Sequence, residues 1–148
     1  MIGLDTNVLA RYYIDDESDA EATKQHLLAK KLIESGKPLF VSKTVMLELE
    51  WVMRGYYRFK TLEISLVFKN LLSHVHISIE DDAVVKQAII SFDKGLDFAD
   101  ALHLSSSKHC TEFSSFDDKK FAKRAKRYGL LPVVKVPKNK GVGDKSKP

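Results

Sequence analysis

Short apolar runs alternate with longer amphipathic segments along almost the whole chain. The first run, residues 2–4, is apolar and stops at Asp5. Residues 6–13 then show helical spacing, with Asp5 or Thr6 placed to cap. A long helix is predicted over 19–35, closed by Gly36 and Pro38, followed by a buried strand at 39–41. Ser42 opens a helix reaching to about Arg58, and 61–73 form another. A strand is expected at 75–79. Asp81 and Asp82 open a helix ending near Phe92, and 98–108 form the next. The pattern closes with a strand at 113–116, a basic helix at 118–128 and a last strand at 133–136. Short apolar strands separated by helices are the pattern of a parallel sheet covered on both faces.

The chain has 148 residues, which fits one domain. Hydrophobic residues make up 44% and charged residues 30%, a globular composition. The single cysteine, Cys110, excludes an internal disulfide and a cysteine-based zinc cluster, and is expected as a small core hydrophobe. The opening residues lack a basic, apolar leader, and no stretch approaches the roughly 18 apolar residues of a membrane span. A cytoplasmic protein with no membrane partner is expected.

Charge changes this picture. The net charge of +4 hides an asymmetry. Residues 119–148 hold 11 basic residues and one acid, leaving residues 1–118 at −6. An acidic body beside a basic end suggests a cation site next to a surface that attracts polyanions. Lys119, Lys120, Lys123, Arg124, Lys126 and Arg127 are the candidate phosphate contacts. Residues 138–148 read as a basic, disordered tail.

The candidate chemistry is carboxylate chemistry. Parallel α/β sheets bind ligands at the carboxyl ends of their strands. Asp5 ends the first strand and Asp117 the fourth. Asp97 and Asp100 are three residues apart at a helix start and share its face. In the helix opened by Ser42, Val45, Leu49, Val52, Met53 and Tyr56 form an apolar stripe. Glu48 falls on the edge of that stripe, facing the core or its rim, and Glu50 falls on the water side. Each acid also has an ordinary structural use as a cap, a first-turn acid or a turn residue. Together they would repel one another without a cation, and oxygen-only donors select hard ions, Mg²⁺ or Mn²⁺. His74 and His76 alternate on the expected third strand, and His103 follows Asp100 by three residues. Neither arrangement forms a recognised motif. There is no Gly-rich phosphate loop, nucleophile elbow or metalloprotease histidine pair.

Four segments carry a family resemblance. Leu4-Asp5-Thr6-Asn7-Val8-Leu9 resembles the opening of PIN-domain proteins. Glu48-Leu49-Glu50-Trp51-Val52-Met53, Asp97-Phe98-Ala99-Asp100-Ala101-Leu102-His103 and Ser115-Phe116-Asp117 resemble the second, third and fourth acidic motifs of their VapC-type toxin branch. The motifs occur in family order over residues 2–121. The resemblance implies a three-layer α/β/α sandwich with a short, mostly parallel central sheet, forming one PIN-like nuclease domain over residues 1–137. It implies a Mg²⁺- or Mn²⁺-dependent endoribonuclease, acting as the toxin of a toxin–antitoxin pair, with RNA, an antitoxin protein and a second copy of the chain as partners. By motif position the catalytic and metal-site acids would be Asp5, Glu48, Asp100 and Asp117. Thr6, Asn7, Asp97 and Ser115 would support them. Ser115 stands where Thr is usual and keeps the hydroxyl. The run from Asp117 to Phe121 is one residue longer than usual. Asp117 is preferred over Asp118 because it directly follows Ser115-Phe116. One or two metals remain open.

Three other readings remain. The first is a PIN nuclease in RNA processing without an antitoxin, and the second a non-catalytic RNA-binding PIN protein. The third, a phosphatase with Asp5 as nucleophile, is disfavoured because Asn7 stands where such enzymes usually carry a second Asp.

Overall fold

The computed structural model describes residues 1–139, so most of the tail read above, 140–148, lies outside the described residues. The strands are β1 (Ile2–Gly3), β2 (Leu39–Val41), β3 (Ile77–Ile79), β4 (Glu112–Ser114) and β5 (Val133–Lys135). The α-helices are α1 (Thr6–Tyr13), α2 (Ala20–Ile33), α3 (Lys43–Trp51), α4 (Thr61–Ser73), α5 (Asp82–Lys94), α6 (Phe98–Ser106) and α7 (Lys123–Arg127). Two π-helical turns, Val52–Tyr56 and Asp118–Ala122, extend α3 and precede α7. This is the mixed α/β architecture with parallel strands that the pattern implies, in the manner of a PIN-like α/β/α fold.

All strand pairs are parallel. β2 is the middle strand of a three-stranded sheet, order β1-β2-β3, with Ile2 opposite Leu39 and Leu39 opposite Ile77. Leu39 and Val41 are fully buried, as a strand covered on both faces requires. β4 and β5 pair separately as a two-stranded sheet. The single expected sheet is thus laid out as two ladders among the described residues.

The core is continuous. Leu9, Ile33, Met46, Leu49, Met53, Ile64, Phe68, Leu71, Val85, Phe92 and Phe98 belong to one buried cluster. Phe68, Phe92 and Phe98 form its aromatic centre, with ring centroids 4.8–6.4 Å apart. These rings join α4, α5 and the start of α6.

Several local expectations need correction. The third strand begins at Ile77, because His74 ends α4 and Val75 is fully exposed. His74 and His76 therefore do not alternate on a strand. His74 Nδ1 bonds the Asn70 carbonyl, His76 Nε2 bonds the Ile33 carbonyl, and their rings meet edge to face at 5.6 Å. Both are structural. Cys110 is exposed, beyond the end of α6. The fourth strand ends at Ser114, so Asp117 lies three residues past it.

Glu50 is the largest correction. It is buried, while Glu48 is exposed. The buried face of α3 runs Met46, Leu49, Glu50, Met53 rather than through Val45 and Tyr56. Glu50 lies four residues after Met46 and three before Met53, which puts it on the core side. Arg54 answers its charge, with Nε 2.7 Å from Oε2 at i,i+4. The Glu50 side chain is 4% exposed and that of Arg54 57%. Removing one partner of a fully buried pair costs about 3–5 kcal/mol. Because water reaches Arg54, Arg54→Ala is expected to cost about 2 kcal/mol, a fall in Tm of roughly 5 °C. The double variant Glu50→Leu/Arg54→Leu should recover most of that loss in thermal denaturation. An Arg54→Ala protein as stable as the parent would contradict the pairing.

Candidate active site

Within each ladder the parallel strands end on the same side, and Asp5 follows directly from the end of the first. Leu4 N–H donates to the Phe40 carbonyl at 2.9 Å, continuing the β1–β2 ladder to the residue before Asp5. Asp5 then caps α1, its Oδ1 accepting from Thr6 N–H at 2.8 Å. The buried Thr6 hydroxyl donates across to Glu48 on α3. Thr6 therefore ties the first acidic motif to the second. Asp5, Thr6, Asn7 and Glu48 line one open cleft.

The other acids come from α6 and the loop after β4. Asp97 precedes α6, and its side chain makes no capping bond. Asp100 lies one turn on and is half-buried. Burial first, and then the charges of Asp97 and Asp117, push the Asp100 carboxyl above its ordinary range, while His103 and Arg124 act the other way. Three carboxylates from two parts of the chain thus share one electrostatic neighbourhood. Ser115 Oγ accepts from Asp117 N–H at 3.0 Å, and Asp117 Oδ1 accepts from Lys120 N–H at 2.9 Å, which fixes the loop.

The second π turn sets Asp117 apart from Asp118. Ala122 N–H reaches back five residues to the Asp117 carbonyl at 3.0 Å. A π turn accommodates one additional residue in a helical path, which is the length difference noted between Asp117 and Phe121. Phe121 still reaches the core and packs against Phe113, with centroids 5.5 Å apart. Asp117 acts on Asp100, whereas Asp118 pairs with Lys123 at 3.6 Å and lines a different groove.

The acids form two groups rather than one closed cage. Asp5 and Glu48 are joined through Thr6, and Asp97 and Asp117 both act on Asp100. Among the described residues, no three acidic, histidine or cysteine side chains gather as they stand into a metal-holding group. The donor set nonetheless suits a hard divalent ion. It is all oxygen, and the repulsion at Asp100 is what a bound cation would relieve.

A profile of the PIN domain family matches residues 2–127, spanning both acidic groups and every strand except β5. This chain belongs to the PIN domain family. No curated protein matches it significantly. As PIN nucleases generally use divalent metals and act on nucleic acids, membership makes this a metal-dependent nuclease fold in general terms. No helix among the described residues is long and apolar enough to cross a membrane.

In this PIN domain the basic segment is not uniform. Lys119, Lys120, Lys126 and Arg127 are exposed, and Lys123 is exposed beside Asp118. Arg124 is half-buried and turns inward. Its Nη1 donates to the Gly95 carbonyl at 3.2 Å and lies 3.9 Å from Asp97. Sequence reasoning grouped it with its neighbours because its inward turn depends on the distant Gly95 loop. Sequence reasoning also passed over Arg11, Tyr56 and Tyr57 on the wall of the Asp5 cleft. The adjacent aromatic pair, beginning three residues beyond Met53, the last buried position of the stripe, is the available signal.

Proposed function

We propose that this PIN protein is a Mg²⁺- or Mn²⁺-dependent endoribonuclease of the VapC type, the toxin of a toxin–antitoxin pair, working in the cytoplasm. The observation that carries the reading is the Asp97–Asp100–Asp117 group, in which Asp100 is half-buried and pressed by two other carboxylates. Such a group is costly to a fold unless a cation joins it.

Asp5, Glu48, Asp100 and Asp117 would hold the ion, with Thr6, Asn7, Asp97 and Ser115 in support. An ion held by these residues would make water nucleophilic near neutral pH and neutralise charge developing on phosphate oxygens. The chain's own part is placement. Thr6 orients Glu48, Ser115 fixes the loop of Asp117, and Phe98 anchors the helix carrying Asp100. Lys119, Lys120, Lys123, Lys126 and Arg127 would hold the RNA backbone by a salt-sensitive, sequence-blind attraction, with Arg124 at the edge of that surface. Water attacks the phosphorus and the P–O3′ bond breaks, with O3′ leaving and taking a proton, so the products carry 5′-phosphate and 3′-hydroxyl ends. Exposed Trp51, Leu62 and Leu66 on α3 and α4 support a homodimer. The toxin reading rests on the motif resemblance, with a small antitoxin protein as the partner.

Calorimetric titration with Mn²⁺ tests the metal reading. The parent protein should bind, and Asp5→Asn and Asp117→Asn should each weaken binding about 10-fold or more, because each removes a donor from the same ion. Equal binding by the parent and both variants would remove these acids from the site.

A further inference from the structure

The cleft beside Asp5 holds more than acids. It measures about 620 Å³, within the range of roughly 300–1,000 Å³ for ligand clefts. Its wall includes the acids Asp5 and Glu48, the polar pair Arg11 and Gln25, and the aromatic pair Tyr56 and Tyr57. Gln25 Oε1 accepts from Arg11 Nε at 2.8 Å, so the guanidinium is held in place while its outer nitrogens keep their donors. Tyr56 sits at the end of the π turn and is 74% exposed, although it is a large aromatic. Tyr57 is half-buried and meets it edge to face, with centroids 4.8 Å apart and planes at 79°. The Tyr57 backbone N–H is fixed to the Val52 carbonyl at 3.2 Å. The half-buried ring thus packs against the exposed one, most of whose surface stays open to solvent.

An exposed aromatic ring, a positioned guanidinium and a cation-seeking acid pair in one cleft match the three parts of a nucleotide strand. An unpaired base stacks on an aromatic face, and backbone phosphates go to a guanidinium and to a bound metal. A base inside a duplex has no face to offer. We propose that the Tyr56–Arg11 cleft is a subsite for one unstacked nucleotide flanking the cleaved phosphate, with its base on Tyr56 and a phosphate on Arg11. This rests on the nuclease reading above.

The test measures binding rather than cleavage, in full-length Asp100→Asn protein with Mg²⁺ and a labelled ten-nucleotide single-stranded oligoadenylate. Tyr56→Ala should weaken binding about 10- to 100-fold, as expected for the loss of one stacked base. Tyr56→Trp should retain affinity, and its added tryptophan emission should fall on saturation, against Trp51 in the parent as reference. Arg11→Gln should weaken binding and flatten its salt dependence. A blunt RNA duplex should bind weakly and equally to the parent and Tyr56→Ala proteins. Unchanged single-strand affinity in Tyr56→Ala, or equal affinity for duplex and single strand, would overturn the subsite. Should Asp100→Asn still cut RNA, the metal-site assignment fails, whereas the Tyr56 comparison still decides the subsite by affinity.

Discussion

Asp100→Asn is expected to lower metal-dependent RNA cleavage by about 10³-fold, equivalent to roughly 4 kcal/mol of transition-state stabilisation. The same substitution is expected to raise thermal stability in EDTA. The reason lies in the sign of the Asp100 shift. Burial and the charges of Asp97 and Asp117 hold its pKa above the ordinary value, so the ionised form is disfavoured in the fold. A raised carboxyl pKa costs stability at pH values above it, and that cost disappears as pH falls through it. Asparagine keeps the shape and removes the charge. At neutral pH the variant should therefore melt higher than the parent without metal. Added Mg²⁺ or Mn²⁺ should raise the Tm of the parent, because a ligand that binds only the folded state stabilises it, and should leave Asp100→Asn nearly unchanged. Paired melting curves and cleavage assays check both halves. A variant that is inactive because it is unfolded, or one that cleaves normally, would contradict the assignment.

The largest stability effect is expected two residues earlier on the same helix. Phe98 is 1% exposed and lies 4.8 Å from the Phe68 ring and 5.6 Å from the Phe92 ring. Phe98→Ala removes the ring that joins α6 to α4 and α5, and close packing prevents its neighbours from filling the space. The expected cost is about 4 kcal/mol, a fall in Tm of roughly 10–15 °C. Phe98→Leu keeps most of the apolar volume and should cost less than half as much. Urea titration of both variants gives the comparison. Because Phe98 acts through the position of Asp100, activity per folded molecule should fall in Phe98→Ala and return partly in Phe98→Leu. A cost below about 1 kcal/mol for the alanine variant would mean that α6 is held mainly by other contacts.

The order and type of the regular elements were legible because buried parallel strands read as short apolar runs and their helices carry amphipathic stripes. Leu39 to Val41 is such a run, and α1 begins at Thr6 as its cap predicts. The position of Asp5 was legible for the same reason, since it directly follows the β1 ladder. The misreading of Glu50 sits where the helical period changes. A wheel drawn at 100° per residue through Val52 and Tyr56 crosses a π turn, where that angle no longer holds. The stripe was therefore rotated, and Glu50 was placed in water. The second π turn similarly separates Asp118 from the α-helix it was expected to begin. Arg124 needed knowledge of a contact 29 positions away, with the Gly95 carbonyl, which no local pattern carries. Tyr56 counted as part of a core stripe because its exposure depends on how the π turn swings it outward.

The most direct measurement of the central claim is RNA cleavage by the purified protein with Mg²⁺ or Mn²⁺, with EDTA, and with Asp5→Asn alongside. The account predicts cutting that requires the metal, yields 5′-phosphate ends, stops in EDTA and is lost in Asp5→Asn. Cutting that persists in EDTA, or survives loss of the Asp5 carboxylate, would contradict it.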